Sequence, residues 1–180
     1  MPRTPDSRFK EPLSETAARE KLQKSLARRG LSVREARNKL VEWGVSDDSS
    51  KRIISDYIRY GWLDDQKFAE QFAANRVRRG FGWRRIAQEL SIRRIPTEII
   101  TTTQQQLLPE TGEDANSVLL STAEKEWRKL SSYDPEVRTR RWLARMLRRG
   151  FDSSPLYTIL RALERQEKMN VGRAKTSGEE

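Results

Sequence analysis

The sequence predicts an all-α protein: an elongated, curved array of three tandem three-helix repeats, with about nine helices. Apolar residues recur at helical spacing through most of the chain, and residues typical of helix ends flank these segments. Apolar residues make up only 35% of the sequence and charged residues 34%, which indicates a thin core and a large surface. A low apolar content and a high charged content are typical of small units stacked in a row, because each unit buries little surface by itself.

The predicted helices follow one another at short intervals. The clearest is the fifth, in which Trp83, Ile86, Ala87 and Leu90 stand at positions i, i+3, i+4 and i+7. The sixth falls near residues 101–110, where the sequence TTTQQQLLPE begins with poor helix formers and predicts a ragged helix. The other helices are marked by apolar sets that begin at Leu22, Val33, Ile54, Phe68, Leu120, Leu143 and Leu156.

Helix boundaries are marked by capping residues. Ser32 and Glu35 form a capping box, and Asp134 precedes Pro135, a good first helical residue. Further N-cap candidates are Asp64, Asp152 and Thr111. Glycines that follow the last apolar turn predict left-handed C-terminal caps at Gly30, Gly44, Gly61, Gly80 and Gly150.

The sequence also repeats itself. The segment Arg28-Arg29-Gly30 recurs later in the chain as Arg78-Arg79-Gly80, and Trp43-Gly44-Val45 corresponds in the same way to Arg149-Gly150-Phe151. Such internal repetition is typical of stacked helical arrays. The predicted boundaries are a disordered basic N-terminal tail (1–13), three-helix repeats at 14–66, 67–110 and 111–167, and a disordered C-terminal tail (168–180).

The composition excludes several classes of chemistry. The chain has no Cys and no His, so histidine acid–base catalysis, thiolate or imidazole metal sites and disulfides are absent. No nucleotide-binding glycine loop is found, and we predict no catalytic residue, no cofactor and no metal. The longest apolar run is three residues, too short for a membrane span or a secretory signal. We therefore expect a soluble cytoplasmic protein that is not an enzyme.

The formal charge of +10 comes mostly from arginine, with 26 Arg against 10 Lys. Arginine forms forked hydrogen bonds to phosphates and carboxylates, so we expect nucleic acid, an acidic protein surface, or an assembly of both as the partner. Arginine-rich stretches recur at 19–39, 76–94 and 138–149. For any one arginine, a helical ion pair such as Arg85 with Glu89 is the alternative. The predicted contact residues are Arg76, Arg78, Arg79, Arg84, Arg85, Arg141, Arg145 and Arg148.

The acidic pairs and the tryptophans predict structural roles. Asp47-Asp48 and Asp64-Asp65 begin helices, so capping explains them better than a shared metal ion. Trp83, Trp127 and Trp142 lie on or beside apolar stripes and are expected in the core. The remaining two, Trp43 and Trp62, flank glycine turns and are expected to close helix ends, with stacking on nucleic-acid bases as the alternative.

One stretch resembles the RecX family of bacterial regulators of the RecA recombinase. It runs from Gly61-Trp62-Leu63-Asp64-Asp65 through Phe68-Ala69 and Arg76 to Gly80-Phe81-Gly82, Arg85-Ile86, Glu89-Leu90 and Ile95. The resemblance covers roughly residues 25–100 and continues by pattern into the third repeat. Arg94 departs from it, because relatives usually have glycine at this position.

The resemblance implies a modular helical protein that binds the RecA–DNA filament. Such proteins lie along the filament groove and inhibit the ATPase, strand-exchange and coprotease activities of RecA, in homologous recombination, DNA repair and the SOS response. They are not enzymes, and many also bind single- or double-stranded DNA weakly. We expect this chain to act as a monomer and to contact the filament through the eight arginines.

An alternative function remains open from the sequence. The three-helix units could act as a stand-alone nucleic-acid-binding module that docks on duplex DNA in the manner of helix-turn-helix domains. Such a module would need no second protein, and both its binding and its inhibitory effect would depend steeply on salt.

Overall fold

The computed structural model describes residues 12–107 and 113–176, and within these ranges the chain forms nine α-helices and no strand. The all-α prediction is confirmed. The helices are α1 (Glu15–Arg28), α2 (Val33–Glu42), α3 (Asp47–Arg59), α4 (Asp65–Arg78), α5 (Trp83–Ile92), α6 (Thr97–Leu107), α7 (Glu113–Arg128), α8 (Pro135–Arg148) and α9 (Ser153–Thr176). The predicted Thr111 cap and residues 1–11 of the predicted N-terminal tail lie outside the described residues.

The helices recur at the offsets that the sequence repeat predicts. Helices α4, α5 and α6 begin at one constant offset from α1, α2 and α3, and this is the offset between Gly30 and Gly80. The offset between Gly44 and Gly150 likewise separates the last residue of α2 from that of α8, and the first residue of α3 from that of α9. The same short connection therefore joins the second and third helices of each repeat.

This middle connection contains one residue with left-handed backbone in each repeat. The residues are Gly44 (φ 72°), Arg94 (φ 60°) and Gly150 (φ 88°), which stand at equivalent positions. Left-handed backbone brings Cβ close to the following carbonyl oxygen, so glycine adopts it without strain and arginine does not. Arg94 thus occupies the position where the family resemblance leads us to expect glycine.

Two further glycine caps are confirmed and one is wrong. Gly61 (φ 70°) and Gly80 (φ 74°) are left-handed, as predicted. Gly30 is not, because α1 ends through Arg29 in extended backbone (φ −159°). The extended residue Arg29 leads the chain out of the helix without a left-handed turn. Position 30 therefore does not need the positive φ angle that glycine permits.

Side-chain caps begin several helices. The capping box of Ser32 and Glu35 is complete, and Asp64 accepts a hydrogen bond from the Lys67 backbone at 3.0 Å. This bond lowers the pKa of Asp64, because it favours the charged carboxylate. Asp134 precedes Pro135 as predicted, but its side chain makes no capping hydrogen bond.

Two helices extend beyond their predicted limits. Helix α6 begins at Thr97 and continues to Leu107 without the predicted ragged start, because Thr103 is fully buried and packing outweighs its low helix propensity. Helix α9 continues to Thr176, so residues 168–176 are helical where the sequence predicts a disordered tail. No helix among the described residues is long and apolar enough to cross a bilayer.

The first of two structural units contains the described residues up to Gln71 together with Leu90–Ile100. Its core lies between α1, α2 and α3. The fully buried Tyr57 donates its hydroxyl hydrogen bond to the Arg19 carbonyl at 2.9 Å. Leu13 packs against this core, and its backbone NH bonds the Trp43 carbonyl at 3.1 Å.

A group of ion pairs joins α1 to α3 in this unit. Glu15 contacts Arg19 and Arg52 at 2.9 Å each, and Arg19 also contacts Asp56 at 2.7 Å. Hydrogen bonds from Arg19 and then Arg52 lower the pKa of Glu15 to about 2. Because Arg19 and Glu15 belong to α1 and their partners to α3, the group ties the first and third helices of the repeat together.

The second unit contains Phe72–Glu89 and the described residues from Thr101 onward. Its core lies between α7, α8 and α9, with Trp142 at its centre. Trp142 packs edge-on against Trp127, with ring centroids 6.0 Å apart, and donates a hydrogen bond to the Ala123 carbonyl at 2.9 Å. The buried Arg138 lies 4.0 Å from the Trp127 ring and is paired with Glu167.

We predict that Arg94→Gly stabilises the protein. Glycine relieves the strain of left-handed backbone, so the free energy of unfolding should rise by up to about 1 kcal/mol. Thermal unfolding followed by circular dichroism measures the change. The control is Arg94→Ala, which removes the same charge but keeps a side chain on the left-handed backbone and should bring no such gain. A lower melting temperature for the glycine variant would contradict the prediction.

We also predict a pH-dependent contribution from Glu15. Because its pKa is about 2 in the folded chain and near 4.5 when unpaired, its stabilisation is complete above pH 4.5 and is lost as the pH falls toward 2. Glu15→Gln should therefore lower the melting temperature at neutral pH, and the difference from the wild type should narrow as the solution is acidified through this range. Glu20→Gln, on the same helix without an ion pair among the described residues, should not change the profile.

Candidate partner-binding surface

All eight predicted contact arginines lie in the second unit, but they occupy different surroundings. Three of them, Arg84, Arg85 and Arg148, line one open surface depression. We define the basic depression by its six side chains, which project from the α4–α5 turn, from α5 and from the end of α8. These are Phe81, Arg84, Arg85, Gln88, Leu147 and Arg148.

Two glycine turns meet beneath the basic depression. The backbone NH of Gly82 bonds the Arg149 carbonyl at 2.8 Å. A Cβ atom on Gly82 would stand 2.3 Å from the Gly150 carbonyl oxygen, and one on Gly150 would stand 2.4 Å from the Arg85 nitrogen. Only residues without a side chain permit this approach. The contact brings the start of α5 beside the end of α8, and with it Arg84 and Arg85 beside Arg148.

Arg149 reinforces the same contact with its side chain. Its guanidinium donates hydrogen bonds to the carbonyls of Arg79 and Gly80 at 3.3 and 3.1 Å. It also bonds Glu126 at 3.0 Å and lies 5.5 Å from the Phe81 ring centroid. These contacts occupy the guanidinium with groups of the unit itself, so Arg149 positions the depression and is not displayed in it.

Glu89 neutralises two of the predicted contact residues. It is 9% exposed and contacts Arg76 and Arg85, each at 2.8 Å. Arg76 also lies near the rings of Phe72 and Phe81, at 5.1 and 5.3 Å. The helical pair of Arg85 with Glu89, which was the alternative from the sequence, is therefore present. Arg76 is held within the unit, whereas Arg85 remains on the rim of the depression.

Glu126 gathers three cations around a single buried carboxylate. Its side chain is 5% exposed and contacts Lys129 at 2.8 Å, Arg149 at 3.0 Å and Arg145 at 3.3 Å. Burial alone would raise the pKa of Glu126, but the hydrogen bonds and charges of these cations outweigh it and lower the pKa. Arg145 is thus part of an internal ion-pair group that joins α7 to α8.

The other predicted contact residues are exposed. Arg141 lies 4.1 Å from the Tyr133 ring centroid, and Arg78 and Arg79 stand at the end of α4. Arg84 has one distant carboxylate, Asp152, at 3.9 Å, with both side chains mostly exposed. Arg148 has no carboxylate of the described residues within ion-pair distance. Arg84 and Arg148 are therefore the least neutralised cations of the basic depression.

The acidic pairs have structural roles. Asp65 accepts a hydrogen bond from the Val33 backbone at 2.9 Å, and its pKa is raised by burial. Asp47 pairs with Lys51 in the first turns of α3. No cluster of acidic residues in the described part of the chain is suited to hold a metal ion.

Two of the three tryptophans that were predicted to lie in the core are buried there. Trp127 and Trp142 are buried and Trp83 is half-buried. Trp43 lies beneath Lys21 at 4.5 Å, and Trp62 packs edge-on against Tyr57 at 4.9 Å while remaining 51% exposed. These contacts at the ends of α2 and α3 agree with helix-end closure.

Sequence reasoning missed the acidic residues that decide which arginines are displayed. Glu126 with Lys129 at i+3 was a visible local signal. In contrast, Arg145 pairs with Glu126 from the preceding helix, and Arg138 pairs with Glu167 from the following one. Because these partners belong to different helices, no i+3 or i+4 spacing in the sequence indicates the pairs.

Comparison with known proteins places the chain in a family. The family model described as RecX, second three-helix domain, matches residues 64–103. The regulatory protein RecX of Pasteurella multocida is 31% identical over an alignment of 121 residues that covers 60% of this chain and 74% of that protein. The regulatory protein RecX of Mycolicibacterium smegmatis is 29% identical over an alignment of 149 residues that covers 79% of each chain.

The fold is also shared with solved structures. The crystal structure of RecX from Lactobacillus salivarius superposes with a TM-score of 0.68 over 83% of this chain and 96% of its own, at 17% sequence identity. A likeness at this identity concerns the fold alone. The family is established by the Pasteurella multocida relative, which this chain matches over most of that protein's length, and by the matching family model: the chain belongs to the RecX family of non-enzymatic regulatory proteins.

Proposed function

We propose that this protein binds the RecA–DNA filament and inhibits the recombinase, ATPase and coprotease activities of RecA. Membership of the RecX regulatory family supports RecA as the partner. The observation that carries the proposal at residue level is that two exposed cations come together in the basic depression: Arg148, and Arg84, whose one ion pair, with the exposed Asp152, is long at 3.9 Å. Exposed guanidinium groups of this kind bind carboxylates and phosphates.

The proposed mechanism is a shift of population. A ligand favours the state that it binds more tightly, so the protein would stabilise whichever filament state offers more contacts to its surface. Inhibition follows if that state hydrolyses ATP or exchanges strands more slowly. The proposal requires no catalytic group, cofactor or metal ion from this chain.

We further propose that the three repeats act as modules, with boundaries at 14–66, 67–110 and 111–167. The protein would act as a monomer in the cytoplasm, where RecA filaments form on DNA. Contacts outside the basic depression would come from the exposed Arg78, Arg79 and Arg141. Because Arg76 and Arg145 are occupied by Glu89 and Glu126, they would support the fold more than the partner contact.

We predict that the double charge reversal Arg84→Glu/Arg148→Glu weakens inhibition of RecA. Both side chains are exposed, so thermal stability should stay close to that of the wild type, whereas two repulsive contacts should raise the half-inhibitory concentration about tenfold or more. The measurement is ATP hydrolysis by RecA on single-stranded DNA at increasing concentrations of each variant. The control, Arg34→Glu/Arg37→Glu on α2, makes the same change of net charge on exposed residues of the first unit.

Two outcomes would contradict this assignment. Undiminished inhibition by the folded Arg84→Glu/Arg148→Glu variant would remove the basic depression from the contact. Equal loss in the control would indicate that net charge alone matters. Bare DNA is titrated in parallel: inhibition of RecA well below the concentration that shifts DNA supports the filament regulator. Equal concentrations with equally steep salt dependence would favour the stand-alone nucleic-acid-binding module.

A further inference from the structure

The basic depression has an apolar side as well as a charged one. Leu147 is 45% exposed, although its position among Leu143, Met146 and Leu147 suggests a core stripe from sequence. Met146 takes the fully buried position instead, and Leu147 faces the depression together with the half-buried Phe81. A single exposed leucine is ordinary on a protein surface. This one differs because it lines the same depression as the Phe81 ring and three arginines.

The charges in the depression are few. Arg85 is already paired with Glu89 at 2.8 Å, so Arg84 and Arg148 are the cations available for a partner. A nucleic-acid backbone gains affinity from many phosphate contacts and offers little apolar surface to the protein. Against such a partner, Leu147 and Phe81 would contribute almost nothing, since apolar surface stabilises a complex only when apolar groups cover it.

A protein segment that carries both carboxylates and an apolar side chain would use the apolar side chains of the depression and both of its available cations. Its apolar side chain would cover Leu147 and Phe81, and its carboxylates would pair with Arg84 and Arg148. Interfaces commonly combine a small apolar centre with a charged rim that excludes water. Asp152 shows the same chemistry within the chain, because its exposed carboxylate forms a long ion pair of 3.9 Å with Arg84.

We propose that the basic depression binds an acidic segment of a partner protein through an apolar side chain seated on Leu147 and Phe81, with flanking carboxylates on Arg84 and Arg148. This inference rests on the proposed function, in which the segment belongs to the RecA protomers of the filament. It adds that the depression selects protein over nucleic acid.

The test is Leu147→Ala in the full-length chain. Binding to RecA filaments on fluorescently labelled single-stranded DNA and binding to the same DNA without RecA are measured by anisotropy. Loss of the apolar contact should weaken filament binding about tenfold, and DNA binding should change less than twofold. The control is Leu120→Ala on α7, where a leucine of almost equal exposure, 46%, lies outside the depression. It should behave like the wild type, and melting curves should show both variants folded.

The outcomes separate the two proposals. A wild-type chain that fails to bind RecA filaments overturns the proposed function, and this inference with it. A wild-type chain that binds, together with a Leu147→Ala variant that binds equally well, overturns the inference alone. Equal weakening of filament and bare-DNA binding by Leu147→Ala would assign the depression to nucleic acid, and would also overturn the inference. If Leu147→Ala melts well below the wild type, the more conservative Leu147→Val is measured in its place, by the same criteria.

Discussion

Each three-helix repeat depends on a backbone reversal between its second and third helices. The reversal passes through one residue with left-handed backbone, at Gly44, Arg94 or Gly150. The positive φ angle ends one helix and aims the chain so that the next begins shortly afterwards. Because this connection has the same length in every repeat, the following helix starts at a fixed position, and α3 packs against α2 and α9 against α8.

In the second unit, the same kind of turn also forms the basic depression. The Gly82 and Gly150 turns approach so closely that no Cβ atom fits between them. Arg149 holds the approach with hydrogen bonds to two carbonyls of the opposite turn and with an ion pair to Glu126. Carboxylates then decide which of the remaining arginines are available to a partner. Glu89 and Glu126 form ion pairs with Arg76 and Arg145 inside the unit, whereas Arg84 and Arg148 stay exposed. The surface is therefore defined as much by acidic residues as by basic ones.

Much of this fold could be predicted from sequence because its rules are local. Apolar spacing, capping residues and the internal repeat identify the helices, and Ser32 and Gly44 behave as their local sequences predict. The candidate site was harder, since it depends on contacts between residues far apart in the chain. Arginine-rich stretches indicate a basic surface, but they do not reveal that Arg145 is committed to Glu126 or that Leu147 is turned outward. The left-handed cap predicted at Gly30 was wrong for a similar reason. Helix α1 ends through extended backbone at Arg29, and the residues that follow a helix decide which kind of ending it has.

The carboxylate pairing has a consequence for how the protein responds to electrolyte. If all eight predicted arginines displaced counterions from a polyanion, the logarithm of the binding constant would fall with the logarithm of salt concentration with a slope of about −7. In the basic depression Arg85 is paired closely with Glu89, and Arg84 has only a long ion pair of 3.9 Å with Asp152. With Arg84 and Arg148 as the available cations, that surface would displace about two ions and give a slope of about −2. Although the chain has a formal charge of +10, few cations are therefore available at this surface, and binding there would respond only weakly to salt concentration.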